Sequence, residues 1–134
     1  MVVIDTNVAV SALRSRHGAS NSIFLRLASG HFKTCVSTAL MMEYADVLHR
    51  PGLISAFSSA QIDQFIDSIC AIAAEAVIYF RWRPFLTDPK DDLVFECALA
   101  GGADTIITHN VSDFEPCRAF KVLPVTPAEF LKKL

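Results

Sequence analysis

Short apolar runs rich in β-branched residues alternate with longer amphipathic stretches along the chain. The first run, Val2 to Ile4, is apolar throughout, which is typical of a strand buried on both faces. Similar runs predict further strands at residues 33–36, 75–80 and 105–108. Spacing and capping residues predict helices at 7–13, 21–28 and 38–49, after Ser58 or Ser59, at 93–100, and after Pro127. This alternation predicts an α/β fold with helices on both faces of a parallel sheet.

Length and composition predict one packed domain over residues 1–134. The chain is 52% hydrophobic and 19% charged, and its net charge of −2 gives no global basic footprint for nucleic acid. Its most apolar window, 69–80, contains Glu75 and is shorter than the roughly twenty residues of a membrane span. No signal peptide is expected. Four widely spaced cysteines are expected to be core thiols of a cytoplasmic protein: Cys35, Cys70, Cys97 and Cys117.

Acid and amide side chains follow the predicted strands. In parallel sheets, functional sites gather beyond the carboxyl ends of the strands, so these groups are predicted to meet at one edge. They are Asp5 after the first strand, Glu43 in the helix after the second, Asp91 and Asp92 at a helix start, and Asn110 and Asp113 after the strand at 105–108. Each also has a structural interpretation, because Asp5, Asp91 and Asp92 could cap helices and Glu43 could be a surface residue.

The helix that follows Asp92 favours a functional interpretation. The segment "LVFECALA" is apolar nearly all round, so it is expected to be buried, and Glu96 is its only charged residue. Glu96 lies four residues after Asp92, on the same helix face, where buried like charges are costly unless a proton or a cation intervenes. A hard divalent cation such as Mg²⁺ suits carboxylate ligands, and such sites are typical of phosphodiester cleavage.

Three segments, in the right order and spacing, resemble the motifs of PIN-domain (PilT N-terminus) nucleases, and the resemblance extends over the whole chain. They are "VVIDTNV", "TALMMEYADVLHRP" and "DPKDDLVFECALAGGADTIITHNVSDF". Their form is that of the bacterial subfamily assigned to the toxins of toxin–antitoxin systems. The resemblance implies a three-layer α/β/α fold with a short, mostly parallel central sheet. It also implies an endoribonuclease dependent on Mg²⁺ or Mn²⁺, with an RNA substrate, a cognate antitoxin and often a homodimer.

The resemblance also implies roles for individual residues. The catalytic and metal-binding acids would be Asp5, Glu43 and Asp92, and the metal shell would be completed by Glu96, Asn110 and Asp113. The substrate side would be formed by Thr6, Asn7 and Thr108. Many relatives carry aspartate where this chain has Asn110, so the number of metals stays open. Asp113 could supply the missing carboxylate or cap a turn.

Two other functions are compatible with these residues. Asn110 and the acidic net charge favour a catalytically impaired PIN domain that binds nucleic acid or protein, whereas the retained acids oppose it. A metal-dependent phosphotransferase ranks last, because one known type needs a second aspartate where Asn7 stands. The triplet Arg81-Trp82-Arg83 suits phosphate contact and base stacking, although a packed Trp82 between solvated arginines is the favoured interpretation.

Overall fold

The computed structural model describes residues 1–134 and contains five strands, six helices and one 3-10 segment. The strands are β1 (Val2–Ile4), β2 (Cys35–Val36), β3 (Ala74–Glu75), β4 (Thr105–Ile107) and β5 (Leu123–Val125). The helices are α1 (Thr6–Arg14), α2 (Ala19–Ala28), α3 (Thr38–Leu48), α4 (Ser59–Ile72), α5 (Pro89–Gly101) and α6 (Pro127–Lys132). A 3-10 segment, Val111–Phe120, joins β4 to β5.

All strand pairs are parallel. β4 lies between β1 and β5, and β2 pairs with β3. A parallel bridge between Val2 and Thr34 joins the two groups, so the strand order is β3-β2-β1-β4-β5. Every strand therefore ends at the same edge of the sheet, as the alternation of strands and helices predicted.

Side-chain caps define where most helices begin. At the start of five helices, the side chain of the capping residue accepts a hydrogen bond from a backbone N–H group. The capping residues are Asp5, Ser37, Ser58, Asp88 and Thr126. These bonds satisfy N–H groups that have no partner within the helix. Helix α5 begins four residues before the predicted start at 93, because Asp88 caps it and Pro89 opens it.

The predicted strand at 75–80 is wrong. β3 ends at Glu75, and residues 76–88 form neither helix nor strand. β3 is an edge strand whose one partner, β2, ends at Val36, so pairing stops once the Ala76 N–H has donated to the Val36 carbonyl oxygen at 2.8 Å. The 3-10 segment and β5 were not predicted, because their composition lacks a clear period.

The hydrophobic core lies between the sheet and its helices. α5 packs against β1, β2 and β4, and α3 connects α5 with α1 and α4. The thiols of Cys35, Cys97 and Cys117 are buried as expected, but Cys70 is exposed because α4 buries only a stripe that runs through Ile62, Ile66 and Ile69. None of the helices is both long and apolar enough to span a bilayer.

Candidate functional site

A polar cavity of about 360 Å³ opens at the carboxyl edge of the sheet, where the sequence placed the candidate site. Asp5 enters it from the end of β1, Glu43 from α3, and Asn110 from the loop after β4. The start of α5 contributes Asp88 and Asp91. Elements that are distant in sequence therefore bring four carboxylates into one cavity. We call it the acidic pocket.

Asp5 is the most firmly held of these carboxylates. It is 7% exposed, and its Oδ1 accepts a hydrogen bond from the Thr6 backbone N–H at 2.8 Å. Its Oδ2 accepts one from Thr108 Oγ1, also at 2.8 Å. Burial raises the pKa of Asp5, the two hydrogen bonds oppose this, and the charges of Asp88 and Asp113 raise it further. The structure thus keeps Asp5 in one orientation among other acids.

Asp91 titrates near neutrality because of its position in the same group. Partial burial, followed by the charges of Asp5, Asp88, Asp113 and Asp92, raises the pKa of Asp91 to about 7. A carboxyl whose ionised form is penalised by several neighbouring acids is typical of a functional site. Asp91 is therefore the acid through which helix α5 takes part in the acidic pocket.

Asp92 does not line the acidic pocket. It is 1% exposed, and its Oδ1 accepts a hydrogen bond from the Leu86 backbone N–H at 2.8 Å. Successive residues of a helix are separated by about 100° of rotation, so the direction of Asp91 toward the pocket takes Asp92 away from it. The resemblance had placed the third acid at Asp92, whereas the structure brings the preceding residue to Asp5.

Glu96 is also outside the acidic pocket. It is 3% exposed, Oε2 accepts from the Trp82 backbone N–H at 2.7 Å, and Oε1 accepts from Arg83 at 2.9 and 3.1 Å. The cation that this buried carboxylate was predicted to need is therefore the guanidinium of Arg83. Asp92 and Glu96 share one buried face of α5, as their spacing predicted, but that face holds the segment before α5.

Two cations accompany the carboxylates of the acidic pocket. Lys90 Nζ lies 3.6 Å from Oε1 of Glu43, whose side chain is 16% exposed. Arg50 also lines the pocket, and its guanidinium bonds Asp46 at 3.2 Å. The pocket therefore combines several carboxylates with two positively charged side chains.

The other predicted site residues occupy different depths. Thr6 and Asn7 line the acidic pocket, and Asn7 Oδ1 accepts from the backbone N–H of His109 at 3.4 Å. Thr108 is fully buried beneath Asp5, and its Oγ1 also accepts from the Asn110 backbone N–H. Asp113 is exposed in the 3-10 segment and acts on Asp5 and Asp91 through its charge.

The donors around the pocket are carboxylate and amide oxygens, the set that Mg²⁺ and Mn²⁺ prefer. As their atoms stand, no three Asp, Glu, His or Cys side chains are close enough to enclose a metal ion. The donor atoms therefore suit Mg²⁺ or Mn²⁺ chemically, but they do not form a coordination shell as they stand. The sequence placed Asp91 among the acids of this edge, but the resemblance gave the metal-binding role to Asp92, and neither gave a role to Asp88, although the cap-and-proline start "DP" could have set the register of α5.

Similarities to known proteins concern the family and the fold. The sequence matches the model of the PIN domain family over residues 1–112. The fold is similar to a chain in the crystal structure of VapBC2 from Rickettsia felis bound to a DNA fragment from their promoter. That match has a TM-score of 0.64 and 15% identity and covers 94% of this chain and 98% of the other. No curated protein matches the sequence. Since the family match spans most of the sequence, the chain belongs to the PIN-domain family.

Proposed function

We propose that the protein is an endoribonuclease that depends on Mg²⁺ or Mn²⁺. The observation that carries this proposal is the convergence of Asp5 and Asp91, from β1 and α5, in one pocket where the pKa of Asp91 is raised to about 7 by burial and by other acids. A divalent cation compensates such a concentration of negative charge. Membership of the PIN-domain family also supports a nuclease, because members of this family are generally nucleases.

The residues proposed to hold the cation are Asp5, Asp91 and Asp113, with Glu43, Asp88 and Asn110 around them. This set differs from the one implied by the motifs, in which Asp92 and Glu96 took part. When bound, the cation would activate water and stabilise negative charge on the phosphate. Thr6 and Thr108 would keep Asp5 oriented and ionised, since both donate hydrogen bonds to its carboxylate.

The substrate side is proposed to include Asn7 and the two cations of the pocket. Asn7 lines the pocket beside Asp5, and Lys90 and Arg50 reach its rim. Lys90 pairs with Glu43 at 3.6 Å and is half-exposed, so it can turn toward a phosphate at small cost. Thr108 is proposed to act through Asp5, because it is fully buried.

The biological role is proposed to be that of a toxin whose partner is a cognate antitoxin. This rests on the resemblance of the motifs to the bacterial toxin subfamily, and on a fold shared with a chain of the VapBC2 structure. A cytoplasmic location and a homodimer are further parts of the proposal. Co-expression with the protein encoded beside it, followed by co-purification, would test the antitoxin.

The first experiment is cleavage of a structured RNA with Mn²⁺, with Mg²⁺ and with EDTA. Wild type should cleave only with metal. Asp5→Asn and Asp91→Asn should lose more than the roughly 10–100-fold typical of outer-shell changes, because each removes a charged donor. Asp92→Asn is the matched control one residue away. Its amide oxygen can still accept from Leu86 N–H, so cleavage should stay within about tenfold of wild type.

Each outcome separates the alternatives, provided that circular dichroism shows folded variants. Equal cleavage by all proteins would identify a contaminating ribonuclease and contradict the proposal. Loss of activity in Asp92→Asn with retention in Asp91→Asn would restore the motif-based assignment. No cleavage and no metal binding by folded wild type would favour the catalytically impaired binding module. Asn110, which stands where many relatives carry aspartate, is the residue that favours this alternative.

A further inference from the structure

The segment between β3 and α5 is held in place although it has no regular secondary structure. We call residues 76–87 the strap. Its backbone is bonded to α5 at two points, where Glu96 accepts from Trp82 N–H and Asp92 accepts from Leu86 N–H. Trp82 also packs edge-on against Phe95 and Phe120, with ring centroids 6.3 and 5.3 Å apart. The two buried carboxylates thus fix an irregular segment along the length of α5.

The strap exposes aromatic side chains that nothing in the chain covers. Tyr79 is 85% exposed and Phe80 78%, and Trp82, although packed on one side, is 40% exposed. Between the strap and α5 lies a cavity of about 350 Å³, lined by these three rings together with Phe120, Leu99 and Ala100. Neighbouring exposed rings beside a cavity are unusual on a monomeric protein surface and indicate a binding site.

The charge of the strap is opposite to that of the acidic pocket. Residues 76–87 contain Arg81 and Arg83 and no acidic residue. Arg81 is exposed and makes no ion pair, whereas Arg83 is 37% exposed and neutralises the buried Glu96. The chain as a whole carries a net charge of −2, so this positive, aromatic stretch stands out as a surface suited to an anion with flat, stackable groups.

We propose that the strap binds single-stranded RNA, with bases stacking on Tyr79, Phe80 and Trp82 and with Arg81 contacting the phosphates. Aromatic rings interleaved with arginine are the general solution for binding single strands without reading their sequence. The proposal rests on the proposed ribonuclease function and names the part of the protein that holds its substrate. The positive charge of the strap and its continuity with the acidic pocket through Asp88 favour RNA over a second protein.

The position of the strap connects it with the acidic pocket. The strap ends at Asp88, which caps α5 and lines that pocket. Glu96, which holds Trp82, lies five residues beyond Asp91, or about 7.5 Å along the helix axis. Stacked nucleotides rise about 3.4 Å each, so the axial separation of Glu96 and Asp91 corresponds to roughly two or three nucleotides, with the strand passing from one face of α5 to the other. One strand could therefore occupy both sites.

The test is binding of a 2′-O-methyl oligonucleotide in EDTA, so that cleavage does not interfere. Trp82 is the one tryptophan of the chain, and its fluorescence should be quenched when a base stacks on it. Tyr79→Ala combined with Phe80→Ala should weaken binding at least about tenfold, since each stacked base contributes several-fold or more. Leu25→Ala, at a 63% exposed side chain on α2, is the control and should bind like wild type.

Further variants separate the strap from the catalytic site. In the same EDTA conditions, Asp5→Asn should bind the oligonucleotide at least as tightly as wild type, because it removes a negative charge from the acidic pocket and leaves the strap intact. Arg81→Ala should lower the slope of log affinity against log salt by about 0.7, as expected for one lost phosphate contact to a single strand. In cleavage assays, the double aromatic variant should raise KM and leave kcat nearly unchanged.

Unchanged affinity and KM in the folded double aromatic variant would overturn the strap proposal, and metal-dependent cleavage by the same protein would leave the ribonuclease standing. If the double substitution instead converted a dimer to a monomer without affecting RNA binding, the strap would be a protein interface and the proposal would be wrong. Wild type that neither binds nor cleaves RNA would overturn both.

Discussion

At the scale of single residues, adjacent positions on α5 have opposite surroundings. Asp91 faces Asp5 in the acidic pocket, whereas Asp92 is buried and accepts from Leu86 N–H. Sequence motifs place an acid at the start of this helix but cannot decide between neighbours, because the register depends on where the helix begins. Asp88 and Pro89 set that register by capping and opening α5.

Asp91→Asn should stabilise the fold at neutral and alkaline pH. The pKa of Asp91 is raised to about 7, above its value of 3.8 in the absence of the fold. The stability that this carboxyl contributes is therefore present below about pH 4 and is lost as pH rises from about 4 to 7. The amide variant has no such loss. After allowance for solvent screening of a partly exposed group, it should gain about 1 kcal/mol at pH 8, or about 4 °C in Tm.

Thermal unfolding of wild type and Asp91→Asn at pH 4, 6 and 8 would measure this effect. The difference in Tm should be absent at pH 4 and largest at pH 8. Asp67→Asn, at an exposed position on α4, is the control and should show no such pattern. Equal Tm values for Asp91→Asn and wild type at pH 8 would contradict the crowding of acids around Asp91.

At the scale of elements, α5 carries two acidic faces with different tasks. One face presents Asp91 to the acidic pocket, and the other uses Asp92 and Glu96 to hold the strap. The burial of Glu96, and its need for a proton or a cation, could be predicted from the sequence. Arg83 could not be identified as the partner, because the strap has no period from which its path could be predicted.

Glu96→Gln should destabilise the protein by about 2 kcal/mol. The substitution removes the negative charge that pairs with Arg83, and it turns the NH₂ group of the new amide toward Arg83 or the Trp82 N–H, which are themselves donors. Urea unfolding would measure the change, and acrylamide quenching of Trp82 should show a more accessible strap. Glu115→Gln is the matched control. Its partner Arg118 is exposed, and surface pairs contribute less than about 1 kcal/mol. Equal losses in both variants would contradict the anchoring role of Glu96.

At the scale of the whole molecule, α5 lies unusually close to the sheet. A Cβ added at Gly101 would lie 2.4 Å from Cys35 Sγ and 2.9 Å from Cys35 Cβ. Cys35 and Cys97 also contact each other's backbone. Cys35 Sγ lies 3.8 Å from the Cys97 carbonyl oxygen, and Cys97 Sγ lies 3.7 Å from the Cys35 carbonyl oxygen. This close approach fixes the distance between β2 and the last turn of α5.

Gly101→Ala should therefore destabilise the fold, although alanine is the better helix former. Overpacking costs about 1–3 kcal/mol, and the gain in helix propensity offsets about 1 kcal/mol of it. Urea unfolding should show a lower midpoint with an unchanged m-value. Adding Cys35→Ala removes the nearest atom and should restore part of the loss. A Gly101→Ala variant as stable as wild type would show that β2 and α5 can separate.

The sequence by itself determined the α/β class, the parallel strands and the edge at which the acids gather. These follow from the periods of apolar positions, and the position of Asp5 at the end of a buried strand follows from one short run. The tertiary structure alone decided which acid of "DPKDD" faces Asp5, what Glu96 bonds, and where the chain runs after Glu75. Each depends on contacts between residues distant in sequence, which a local period does not encode.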